Sequence, residues 1–138
     1  MEIRDRNGNL LLVQDDSDKG FNDADLRNAD LAGYELEGAH FADADLRGAD
    51  LTGADLYWAS MFRVNCEGAI FRNAQLAGAD LECANFSRAD LSGAYLSLDN
   101  LISETTLKDA DLREANLCGA NLHGADLTYA NPEGSPLY

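Results

Sequence analysis

Nine aspartates stand between an alanine and a leucine: Asp25, Asp30, Asp45, Asp50, Asp55, Asp80, Asp90, Asp111 and Asp126. Paired carboxylates can move protons or hold calcium. Their recurrence with the same two neighbours points to a structural duty instead: a short carboxylate accepts backbone N–H groups at a turn and keeps a face wet. The other candidates for chemistry are two histidines, His40 and His123, and three cysteines, Cys66, Cys83 and Cys118. No CxxC pair, nucleophile-elbow serine or phosphate loop with its lysine accompanies them. The expectation is a non-enzymatic chain with no catalytic, cofactor-binding or metal-ligating residue and no cofactor.

Composition narrows the partners. The chain has 138 residues, 25 acidic and 10 basic, for a net charge of −15 and a pI near 4.2. Nucleic acid and anionic membranes are polyanions, so direct binding to either is not expected. Apolar content of 46% is too high for a disordered acidic tail. No apolar run approaches the roughly 18–20 residues of a membrane span. The opening MEIRDRNGN is charged and lacks an apolar segment, so a secretory signal is not expected, and the odd cysteine count argues against a disulfide framework. A reducing, cytoplasmic setting is expected.

What must position these residues is a repeat. Large apolar residues recur every five positions from Phe21 to Leu101 and again from Leu107 to Leu127, giving 22 centres. Two residues before the centre, 17 of the 22 positions are alanine, and a glycine commonly follows two residues after. A period of five makes no stripe on a helix and does not match plain strand alternation. It suits a short strand, Ala in, Asp out, Leu in, followed by a two-residue corner where a positive φ is needed. Such units wind into a parallel β-solenoid, all-β in class, whose narrow interior is filled by alternating small and large side chains.

The tandem motif A-(D/N)-L-X-X, as in ADLRGADLTGADL and ANLCGANLHGADL, resembles the pentapeptide-repeat family across about residues 21–131. That resemblance implies a right-handed quadrilateral parallel β-helix with four repeats per coil, hence about 5.5 coils, roughly 26 Å long at about 4.8 Å per rung. It also implies a bacterial source, and makes a homodimer through the C-terminal coil plausible. Adding 20 gives the inward columns. Phe21, Phe41, Met61, Leu81 and Leu101 line the first side. Leu26, Leu46, Cys66 and Phe86 line the second, and Leu107 joins them after a slip. Leu31, Leu51, Phe71, Leu91 and Leu112 line the third; Leu36, Leu56, Leu76, Leu96 and Leu117 line the fourth. Val64 is larger than alanine where Cys66 is smaller than leucine, so Cys66 reads as a core residue. The six-residue step from Leu101 to Leu107 predicts a bulge or small loop near Ile102–Thr106.

Residues 1–20 read as a hairpin cap and linker, with strands over Glu2–Asp5 and Leu10–Val13 around an Asn7-Gly8 turn. Residues 21–131 form the β-helix and 132–138 a tail, where Pro132 and Pro136 end the ladder. Both histidines, set on one side about four coils apart, and both Cys83 and Cys118 face outward.

Two surface features are candidates for function. Tyr57, Trp58 and Phe62 fall at the corner between the fourth and first sides. Leu98 and Ile102 lie two coils further along, with Tyr95 nearby, and Arg63 and Glu82 at the border. An apolar cluster with a polar rim suits protein binding. On the third side, Asp30, Asp50, Asp90 and Asp111 form an acidic ladder interrupted by Ile70. The favoured function is a protein-interaction or scaffold module acting through the rigid exterior, its partner unidentified. The alternative rests on resemblance: acidic family members linked to fluoroquinolone resistance bind DNA gyrase, a topoisomerase, by mimicking DNA. This chain departs from them in having no long projecting loop, and Arg27 and Arg47 dilute the acidity.

Overall fold

A computed structural model describes residues 1–13, 15, 19–97 and 104–136. Two strands open the chain, β1 (Glu2–Arg4) and β2 (Leu10–Val13), paired antiparallel. Their turn is organised by Asp5, whose carboxylate accepts from the backbone N–H groups of Asn7 and Asn9 and from the Asn9 side-chain amide.

From Gly20 onward the chain is a ladder of single parallel bridges between residues 20 apart: Gly20 with His40, Asp25 with Asp45, Asp30 with Asp50, Glu35 with Asp55. Each rung bonds in both directions. Leu46 N–H donates to the Asn65 carbonyl at 2.7 Å, and Asn65 N–H donates to the Ala44 carbonyl at 2.9 Å. Between rungs the chain turns. Ala49 N–H donates to the Leu46 carbonyl at 3.0 Å, and the second of the two residues between them, Gly48, has φ +68°. Positive φ at the third of four turn residues alone is the mark of a type II turn. One turn every five residues and bridges joining residues 20 apart make a coil of four sides, wound as a right-handed β-helix.

The interior is closed-packed. Leu46, Leu51 and Leu76 are completely buried, as are the alanines beside them. Phe21 and Phe41 stack with ring centres 4.8 Å apart, and Phe71 meets Phe86 edge to face at 5.4 Å. Cys66 lies among them with no exposure, and burial pushes its thiol well above the ordinary value.

β1 continues the sheet of the third side. Asp5 bridges Ala29 antiparallel, and Asp30 N–H donates to the Arg4 carbonyl at 2.8 Å. Ile3 is fully buried in the common core, with Leu11 and Leu12 leaning on it.

The later register differs from the sequence reading. Asp80 bridges Thr106, 26 residues on, and Leu81 N–H donates to the Thr106 carbonyl. Leu107 therefore stacks over Leu81 on the first side, not on the second. Leu112 moves to the second side, Leu117 to the third, and Leu122 to the fourth. The detour is six residues beyond a coil rather than one. Leu101 and most of the expected bulge, through Ser103, lie outside the described residues. The repeat spacing supplies a physical reason: a centre at 101 would require an inward carboxylate at 104, and a buried unpaired carboxylate is costly. With Leu107 as the centre, the inward positions fall to Thr105 and Ala110. His123 moves with the register to the fourth-side corner, so it does not share a side with His40.

Thr105 is fully buried, and its hydroxyl accepts from Gly78 N–H at 3.0 Å while lying 3.1 Å from the carbonyls of Leu76 and Ser97. Thr105→Val keeps the shape and removes these bonds. Leaving buried backbone groups unmet costs about 1–3 kcal/mol, so the urea midpoint followed by circular dichroism is expected to fall. An unchanged midpoint would mean the hydroxyl does not anchor the return of the chain.

Candidate functional site

The aspartates serve the turns. Each of the nine accepts a backbone N–H from two residues ahead, as in Thr52 to Asp50 at 2.9 Å and Thr128 to Asp126 at 2.9 Å. Asn65, Asn85, Asn116, Asn121 and Asn131 do the same through their side-chain oxygens. This explains why Asp and Asn alternate freely before the central leucine. Arginines then neutralise several of the carboxylates: Arg27 on Asp25, Arg47 on Asp45, Arg113 on Asp111, Arg72 on Asp90 and Arg63 on Asp43.

The acidic ladder is shorter than the sequence suggests. Asp30, Asp50 and Asp90 do share the third side, with Ile70 between. Asp111 does not join them. The six-residue detour sets it on the second side, bridged to Asn85 and Asn131, and Asn116 takes its expected place. The Asn116 side-chain amide donates to Asp90 at 3.1 Å, so an uncharged residue closes the column.

The aromatic corner is built from a strained turn. Trp58 has φ +55°, a conformation costly for a bulky residue. Its indole lies over the next corner, where a Cβ on Gly78 would come within 2.3 Å of the ring. Tyr57 meets it edge to face with ring centres 5.4 Å apart. Trp58 is 50% exposed, while Tyr57 and Phe62 are half-buried. The Arg63 guanidinium lies 4.9 Å from the Phe62 ring centre and is held by Asp43 at 2.7 Å. Tyr95 is 39% exposed on the fourth side, two rungs along the bridges from Asp55 through Gln75. Leu98 and Ile102 lie outside the described residues.

The corrected register also creates a neighbourhood the sequence reading missed. Glu82, Cys83 and Asp109 bring their donor atoms within 4.8 Å of one another on the surface, with the Lys108 ammonium 3.8 Å from Glu82. The signal was the Leu107 register, which stacks Asp109 beside Cys83.

Hydrogen bonding by the Arg27 side chain holds Asp25 down at about 2, and the same interaction from Arg47 and Arg113 lowers Asp45 and Asp111. For Asp50, burial pushes upward, but the bonds from Thr52 together with the Arg6 and Arg72 charges outweigh it and the net shift is down. Carboxylates held lower in the fold than in the unfolded chain contribute stability that is complete above the unfolded value of about 3.9. That contribution disappears as pH falls through the folded values toward about 2. The urea midpoint is expected to hold from neutrality to about pH 4 and then decline, and less steeply in Asp25→Asn. Parallel curves for the two proteins would exclude Asp25 as a contributor.

Comparison with known proteins agrees with this architecture. The family model for pentapeptide repeats matches in eight copies over residues 21–57, 59–97 and 103–131. The chain belongs to the pentapeptide-repeat family. Its structure is similar to the pentapeptide repeat protein Rfr23 from the cyanobacterium Cyanothece 51142, at 36% identity and TM-score 0.60, covering 66% of this chain and 58% of that one. It therefore spans little more than half of that relative's length. A pentapeptide repeat protein of the Arabidopsis thaliana thylakoid lumen is similar at 30% identity and TM-score 0.51, covering 82% of this chain and 68% of that one. A search of curated proteins finds no match. Among the described residues no helix is long and apolar enough to cross a membrane.

The Trp58–Gly78 contact is open to measurement. Gly78→Ala and Gly68→Ala both place a side chain at positive φ, but only the first meets a neighbour, since nothing lies within 4 Å of a Cβ at Gly68. Gly68→Ala is expected to cost about 1 kcal/mol, and Gly78→Ala about 1–3 kcal/mol more from overpacking. The excess is expected to vanish in a Trp58→Ala background. Equal costs in both backgrounds would show that the indole does not rest there.

Proposed function

We propose that this chain is a non-enzymatic protein-binding module whose partner docks on the corner carrying Tyr57, Trp58 and Phe62. The observation that carries this reading is Trp58: half exposed, yet held at a positive-φ turn with its indole against Gly78. An aromatic already packed against its neighbour has less freedom left to lose on binding, and Trp, Tyr and Arg are the usual anchors of protein interfaces. A cytoplasmic setting accords with the exposed free thiols of Cys83 and Cys118. Self-pairing through the C-terminal coil has support in Leu127, 40% exposed, and Tyr129, 80% exposed. DNA mimicry has weaker support, because the acidic column is interrupted by Ile70, closed by Asn116 and partly neutralised by Arg72.

The test is a pulldown from the native source with the unmodified chain and with a Trp58→Ser, Phe62→Thr variant. Loss of one partner with an unchanged circular dichroism spectrum is expected, and its binding should vary little with salt. A partner retained by the variant would remove the corner as the docking site. Binding that collapses with salt would favour a charge-based contact instead.

A further inference from the structure

The sheet of the third side does not end at the first coil. It passes through Asp5–Ala29 pairing to β1, and from β1 to β2. Among the described residues β2 pairs with β1 alone, which makes it the outermost strand at the N-terminal end. Its four residues are Leu10, Leu11, Leu12 and Val13, with Leu10 49% and Val13 66% exposed. Edge strands are commonly protected by charge or proline. This one carries neither, and its register irregularity faces β1 between Ile3 and Arg4.

We propose that β2 pairs antiparallel with β2 of a second copy, joining two rods N-terminal end to N-terminal end in one continuous sheet. This surface is separate from the aromatic corner and lies at the opposite end from Tyr129. Charge selects the occupant. The chain carries a net −15, yet the run from Asn7 to Gln14 has no charge at all. Two like-charged molecules therefore meet here with the least repulsion. Strand pairing about a two-fold axis must centre on a residue, because the outward-facing backbone groups alternate. Centred on Leu11 or Leu12, the pairing lays the apolar residues against one another. It sets Asp15 opposite Asn7 or Asn9 of the second copy. A parallel pairing would set Asp15 against its own counterpart, which like-charge repulsion disfavours. Four residues a side is a small contact, below the roughly 1,200 Å² of stable interfaces, so the dimer is reversible and concentration-dependent. Salt screens the repulsion between the acidic rods, so added salt strengthens it.

The test is sedimentation equilibrium of the full chain at rising concentration in low and raised salt, with amide hydrogen exchange measured over Leu10–Val13. A dimer that grows with both variables is expected, with exchange at those amides slowing in step. In Leu10→Lys, Val13→Lys the dissociation constant should rise by about tenfold or more. Both side chains are already largely exposed, so the circular dichroism should not change. Tyr129→Ser should leave the dimer intact. A monomer at every concentration overturns the proposal, as does a dimer indifferent to the lysines or one lost in Tyr129→Ser. If the lysine variant does not fold, exchange in the unmodified chain decides: rates at Leu10–Val13 that ignore concentration overturn it equally.

Discussion

The constraint on which everything else rests is the corner. The backbone must change direction every five residues without leaving a buried amide unmet. The solution repeats: a carbonyl from the central residue accepts the N–H of the alanine three positions on, and the second of the two residues between adopts positive φ. Glycine fills that place at no steric cost, but Asp43, Arg63, Cys83 and Tyr129 also occupy it. Those residues accept strain because the rungs above and below over-determine their geometry. At many corners an aspartate or asparagine side chain then caps the outer N–H. Small and large inward residues, outer carboxylates and frequent glycines are three consequences of one turn.

Much of this was legible in the residues. The five-residue period identified the inward face, and Leu46, Leu51 and Leu76 are fully buried on it. The pairing of Val64 with Cys66 announced a buried thiol. The reading failed where a local period was trusted over chemistry. Leu101 lies five residues after Leu96 and so reads as a centre, but the rung beside Asp80 is taken by Thr106, which makes Leu107 the next large residue over Leu81. Thr105 is a less familiar stand-in for alanine, and its hydroxyl serves three backbone groups that no one-dimensional pattern reveals. Because register is cumulative in a solenoid, that single misplacement shifted Asp111, Leu112, Leu117 and His123 together.

The surface was less legible than the interior for a related reason. Inward positions are constrained by volume, so residue type reports on them directly. Outward positions report only through their neighbours one coil away. Trp58 could be recognised as exposed and aromatic from its place in the repeat. That it rests on Gly78 depends on stacking across 20 residues. The pairing of Arg72 with Asp90 and of Arg63 with Asp43 likewise crosses coils, and it decides how much of the formal charge the exterior presents.

Thr105 has a broader meaning. The rungs Asp80–Thr106 to Tyr95–Asn121 pair across 26 residues just as the others pair across 20, so the ladder keeps its register with six more residues in that coil. A buried hydroxyl in reach of Leu76, Gly78 and Ser97 works as a splice. One coil of the rod can thus hold more chain than its neighbours while the scaffold beneath it stays as it is.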